Sequence, residues 1–313
     1  MIKKIYTFGT SYTEGGGYEW HNDHLKYSVI HAYKGVPDEL TMKNFSYPGQ
    51  LQKLLSDTKY GIEVINLGKS GYGNERLYRK ATDITMMDDF DKDTTLFLFE
   101  FSWTGRKELY SRALKDYIIL NYSNPDHENR PDFTTVHGYA SDYVYDDNNT
   151  HNQKMDKIPD GRFYQQYCDT VINHDIQFSL LKNSTTTFLS YLTLNKINFL
   201  TVVPPHYIEP CYWDTLLYPN IINTFPDYDG HNLVGESGLI QNETLDFHHD
   251  RHWGYISNKW IASLVYDELI DRNFIDGTKL NKKRKDFDYI NNIILNNIKN
   301  SPDCKRIIKD REK

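Results

Sequence analysis

With 313 residues and 39 % hydrophobic content, the chain can bury a core as one large domain, residues 1–313, carrying insertions. A net charge of −7 and a pI near 5.9 argue against a nucleic-acid partner, and no apolar stretch approaches a membrane span. The N-terminal lysine pair precedes only a short apolar run, so no signal peptide is expected, and three widely spaced cysteines, Cys168, Cys211 and Cys304, suit a reducing cytoplasm or assembly there into a larger particle.

Ile2 to Phe8 reads as a first β-strand that runs into Gly9-Thr10-Ser11. A glycine followed by two small hydroxyl residues lets the chain turn sharply and present one Oγ at the strand's C-terminal edge, where open parallel α/β sheets carry their sites. The same tripeptide also suits a helix cap or a simple turn. Residues 15–44, opening with Gly15-Gly16-Gly17, read as a loop excursion over that edge. Glu63 to Leu67 is a second strand, followed by the glycine-rich turn Gly68 to Asn74 and a helix from Glu75. That turn lacks the spacing of a phosphate-binding loop or a dinucleotide fingerprint.

Thr95 to Phe101 is a third strand, ending in Ser102-Trp103-Thr104-Gly105. More than ninety residues separate it from the next strand, Lys196 to Val203. Within that span, Tyr164 to Leu181 and Phe188 to Leu194 carry helical periodicity, whereas residues 121–160, rich in Asn, Asp, His and Pro, read as an inserted loop or lid. Tyr207 to Leu245 reads as irregular, and the tail from Asn281 as a packed final helix. Between them stands His248-His249-Asp250-Arg251-His252. A serine near the start and a histidine about 240 residues later suit a nucleophile and its base. Neither an H-E-x-x-H pattern nor a cysteine pair supports a metal there, and no cofactor is expected.

These blocks resemble those of the SGNH (GDSL-type) hydrolases, serine esterases and lipases named for a serine, a glycine, an asparagine and a histidine. Phe8-Gly9-Thr10-Ser11-Tyr12 matches the first block, with Thr10 where the family usually has aspartate. Ser11 is the implied nucleophile, and aspartate is expected to be tolerated at position 10. Asn66 to Gly71 resembles the second block, making the Gly71 N–H an implied oxyanion donor. His252-Trp253-Gly254 through Ala262 matches the last block, with His252 the implied base and Ala262 in the helix that follows. The pattern is also similar to uncharacterised phage-borne members of the family.

Two departures fall on catalytic positions. The third block normally reads G-x-N-D; anchored on Glu100, this chain has Thr104 in place of the asparagine. A threonine hydroxyl donates one hydrogen bond, from a shorter and freer side chain than an amide. The last block normally reads D-x-x-H, which would set the acid at 249, a histidine here. Asp250 with His252 is preferred over Asp246 with His249, because the downstream helix is in register only for the former.

The chemistry implied is acyl transfer to water. His252 would take the Ser11 proton, Asp250 would orient the imidazole, and the Ser11 and Gly71 amides with Thr104, or with Ser102, would stabilise the oxyanion. The expectation is a three-layer α/β/α domain with a flavodoxin-like parallel sheet and large insertions at 15–44 and 121–160. Its substrate would be a small ester or acylated glycan, with an O-acetyl group on a polysaccharide favoured by family analogy. No nucleic acid and no membrane are expected as partners; virion or oligomer partners belong to the alternative, a binding or virion structural protein that keeps the fold without the activity.

Overall fold

The computed structural model describes residues 1–15, 41–56, 61–69, 72–101, 106–111, 116–121, 135–138, 174–202, 221–222 and 255–276. Their elements are, in chain order, β1 (Lys4–Phe8), α1 (Ser11–Glu14), α2 (Met42–Phe45), α3 (Tyr47–Leu55), β2 (Glu63–Asn66), α4 (Asn74–Thr85), β3 (Thr95–Glu100), β4 (Arg106–Ser111), β5 (Asp116–Asn121), β6 (Thr135–Gly138), α5 (His174–Leu194), β7 (Asn198–Val202), β8 (Ile221–Ile222) and α6 (Tyr255–Asp271).

The main sheet has the order β2-β1-β3-β7-β8, with every neighbouring pair parallel. Counting only its own strands, this is the 2-1-3-4-5 order of flavodoxin-like doubly wound sheets. β3 is buried at all six positions, as a central strand covered on both faces must be. Its register sets Phe97 and Phe99 beside Tyr6 and Phe8, and Glu100 beside Val202.

Alternation along the strands divides the core into two faces. On one, Phe8, Phe97, Phe99, Phe101 and Phe199 pack under Leu77, Ala81 and Ile84 of α4 and Phe188, Leu189 and Leu192 of α5. Phe8 and Phe99 stack at 5.0 Å between centroids, while Phe8 meets Phe97 edge-on at 5.2 Å. The opposite face carries Ile5, Leu96, Leu98 and Leu200, all fully buried, and is covered by α3 and α6. Helices on both faces make the three-layer α/β/α architecture that the sequence implies.

Local chemistry sets the helix boundaries. The Ser46 hydroxyl accepts from the Gly49 amide to cap α3, with Pro48 in its first turn. α5 and α6 each end on a left-handed residue, Lys196 and Asn273, whose following amide bonds back to Leu192 O and Leu269 O.

Three differences from the sequence reading have physical causes. α5 is one helix of 21 residues from His174, not two separate helical stretches. Ser184, Thr186 and Thr187, which lower helix propensity, return their hydroxyls to the carbonyls of Leu180, Lys182 and Asn183 and so remain inside the helix. Second, the region after β3 contains an antiparallel sheet, β4-β5-β6, whose last strand lies inside the segment read as an irregular insertion. Cross-strand pairs such as Tyr110 and Tyr117, 5.3 Å apart edge-to-face, support it. Arg79 of α4 joins this sheet to the main core: its Nη2 donates to both Glu108 oxygens at 2.9 and 3.0 Å, and its guanidinium lies 4.0 Å from the Tyr117 ring centre. Third, the stretch read as irregular after the fourth strand supplies β8, a two-residue edge strand beside β7. Of the 15–44 insertion only Gly15, Thr41 and most of α2 are described, and the tail from Asn281 lies outside the described residues.

Candidate active site at the C-terminal edge of the sheet

β1 ends at Phe8, Gly9 and Thr10 lead out of the sheet, and Ser11 is the first residue of α1. The turn is tight enough to demand glycine at position 9. A Cβ there would collide with Thr13 Oγ1 and lie 2.6 Å from Glu100 Oε2. The second block closes on the same turn. Lys69 N donates to Gly9 O at 3.0 Å, and a Cβ on Gly68 would approach Glu14 N to 2.6 Å and Thr13 Cβ to 2.7 Å. Asn66 clamps the two together, its Nδ2 donating to Thr13 O at 2.7 Å while its Oδ1 accepts from Gly68 N at 2.9 Å and Thr7 Oγ1 at 3.3 Å. At the rim, Lys69 Nζ pairs with Glu14 Oε1 at 3.2 Å.

Beneath this turn lies Glu100, the last residue of β3, only 1 % exposed. Its Oε1 accepts from Thr10 Oγ1 at 2.6 Å. Its Oε2 accepts from Thr10 N at 3.2 Å, Thr13 N at 2.9 Å and Thr13 Oγ1 at 2.5 Å. Burial pushes the Glu100 carboxyl above the usual carboxylate range, and the hydrogen bonds from Thr10 and Thr13 pull against that shift. Four donors satisfy a group that would be costly to bury without them.

The network continues through Tyr47, the first residue of α3, whose hydroxyl lies 3.3 Å from Thr13 Oγ1. Thr13 gives its own proton to Glu100, so Tyr47 is the donor in that contact. Burial, and after it the Glu100 charge, hold the Tyr47 hydroxyl well above the ordinary phenol range, which keeps it protonated. The Tyr47 backbone amide donates to Asn258 Oδ1 at 2.9 Å. Asn258 stands near the start of α6, the helix that opens three residues after His252.

Of the residues singled out in the sequence, Ser11 opens α1 two positions after Gly9, whose carbonyl accepts from Lys69 N of the turn that follows β2. Ala262 is fully buried inside α6, in the helix that the last block implied. Gly71, Ser102, Thr104, Asp246, His249, Asp250 and His252 lie outside the described residues. One expectation meets an obstacle: Thr10 is buried and gives its hydroxyl to Glu100, so aspartate at this position would set two carboxylates against each other. Glu100, Thr13, Tyr47 and Asn258 were not foreseen as part of the site. The signal available for Glu100 was a lone charge closing the continuously apolar run Leu96 to Phe99.

Comparison with protein-family models, with curated proteins and with solved structures finds no match to this chain.

Proposed function

We propose that the chain is a serine esterase that transfers an acyl group from a small ester to water. The observation that carries this reading is the position of Ser11. It opens α1 directly beyond the C-terminal edge of β1, beside a second-block turn packed so closely that Gly68 has no room for a Cβ. A nucleophile on a rigid strand-to-helix turn, with a neighbouring turn to offer amides, is the arrangement that acyl transfer requires. In this reading His252 removes the Ser11 proton and Asp250 orients the imidazole. The amides of Ser11 and Gly71 receive the oxyanion with Thr104. The favoured substrate is an O-acetyl group on a polysaccharide, by family analogy alone.

The loss of the third-block asparagine favours a second reading, a binding or virion structural protein that keeps the fold without turnover. A fluorophosphonate probe and short p-nitrophenyl esters separate the two. Wild-type protein should be labelled once and should turn over ester, and Ser11→Ala should do neither while melting at the same temperature. Full turnover by Ser11→Ala would remove the assignment, and a folded wild-type chain inert to both reagents would favour the second reading.

A further inference from the structure

The buried side chains beneath the Ser11 turn do more than fill space, because they join four separate elements through directed hydrogen bonds. Glu100 closes β3, Thr13 belongs to α1, Tyr47 opens α3, and Asn258 lies in α6. The contacts run from Asn258 Oδ1 to the Tyr47 amide at 2.9 Å, from the Tyr47 hydroxyl to Thr13 Oγ1 at 3.3 Å, and from Thr13 Oγ1 to Glu100 Oε2 at 2.5 Å. We propose that this chain of contacts sets the nucleophile turn against the helix that follows His252, with Glu100 and Tyr47 as the positioning residues that hold Ser11 in reach of its base. The proposal rests on the esterase reading.

Thr10 and Thr13 flank Ser11, and Glu100 binds the amide and the hydroxyl of both, so the turn is fixed on each side of the nucleophile from below. Tyr47 is the hub: its backbone is held by α6 while its side chain reaches α1. A shift of α6 is therefore transmitted to the turn through one rigid aromatic side chain. Misplacement of reacting groups by about 1 Å can cost about 10²-fold in rate, so loosening this support should be read in turnover.

The test uses Tyr47→Phe, which deletes one hydroxyl with little change in shape, and Glu100→Gln, which keeps an acceptor for the two amides and can donate to Thr10 Oγ1. Glu100→Leu removes the acceptors altogether. Turnover is measured per serine titrated by the fluorophosphonate, so that unfolded molecules do not count. Tyr47→Phe should lower kcat about tenfold with KM within twofold, Glu100→Leu should lower it by about 10²-fold or more, and Glu100→Gln should recover most of that loss. A purely structural role predicts fewer titratable serines with unchanged turnover per serine, and that result would overturn the proposal.

Amide hydrogen exchange supplies the readout that does not need catalysis. Protection at Thr10 and Thr13 should fall in Glu100→Leu, or in Tyr47→Phe if the former does not fold, while β7 and α5 keep theirs. Unchanged protection at the turn would also overturn the proposal. A wild-type chain with no titratable serine would instead sink the esterase reading, leaving exchange to decide whether the turn is held as described.

Discussion

The backbone amide of Tyr47 and Oδ1 of Asn258 are hydrogen-bonded at 2.9 Å across 211 positions of the chain. This contact satisfies the first orphan amide of α3 and fastens it to the helix beyond the candidate base. The candidate site is thus supported from the α3/α6 side of the sheet, while the aromatic packing of the other face supports β1 and β3.

Thr10→Asp tests the environment around Glu100. The new carboxylate would replace a hydroxyl that donates to Glu100 at 2.6 Å, and two buried carboxylates so close share one proton. Their pair holds that proton in the folded state at pH values where an unfolded chain has lost it. The stability of the variant relative to wild type should therefore be nearest to parity below about pH 4 and fall as the pH rises, reaching a loss of about 3 kcal/mol at neutral pH. Thermal unfolding at pH 5 and pH 8 reads this directly; an equal loss at both values would contradict it.

Arg79→Ala should loosen the second sheet. Glu108 is almost wholly buried as a side chain, and burial already pushes its carboxyl up against the opposing pull of Arg79. Without Arg79 the raised value rises further, so the folded state increasingly favours the protonated form. The deficit should be small near pH 4.5 and grow with pH, to about 3 kcal/mol at pH 8. Because β4 begins two residues beyond Thr104, kcat for ester hydrolysis should fall as well. A urea titration at the two pH values, with matched kinetics, checks both parts.

Thr104→Val removes a hydroxyl with little change in volume. One lost oxyanion donor should lower kcat by about 10-fold to 10³-fold with a smaller effect on KM, while Ser102→Ala should be nearly silent. The opposite ranking in steady-state kinetics would shift the third block by two residues.

His252→Ala should abolish ester turnover and His249→Ala should leave it largely intact, with Asp250→Asn more damaging than Asp246→Asn. Wild-type activity should rise with pH as the imidazole loses its proton, since the neutral form is the working base. If His249→Ala and Asp246→Asn are the inactive pair, the base moves to His249 with Asp246 behind it and the esterase reading survives.

The parallel-sheet framework is legible in the amino-acid pattern. Continuous apolar runs mark β3 and β7 because both faces of a central strand are covered, and the small residues after β1 mark a turn because larger ones do not fit it. Which distant groups meet depends on where the fold carries them. Glu100 lies 87 positions from Thr13, and its burial is tolerable only because strand register brings it under two threonine amides and two hydroxyls. The same holds for β4-β5-β6, whose short strands form against one another and against Arg79. Such contacts leave no period in the sequence, because hydrogen-bond complementarity between distant segments depends on where the backbone has been carried and not on the pattern of neighbouring residues.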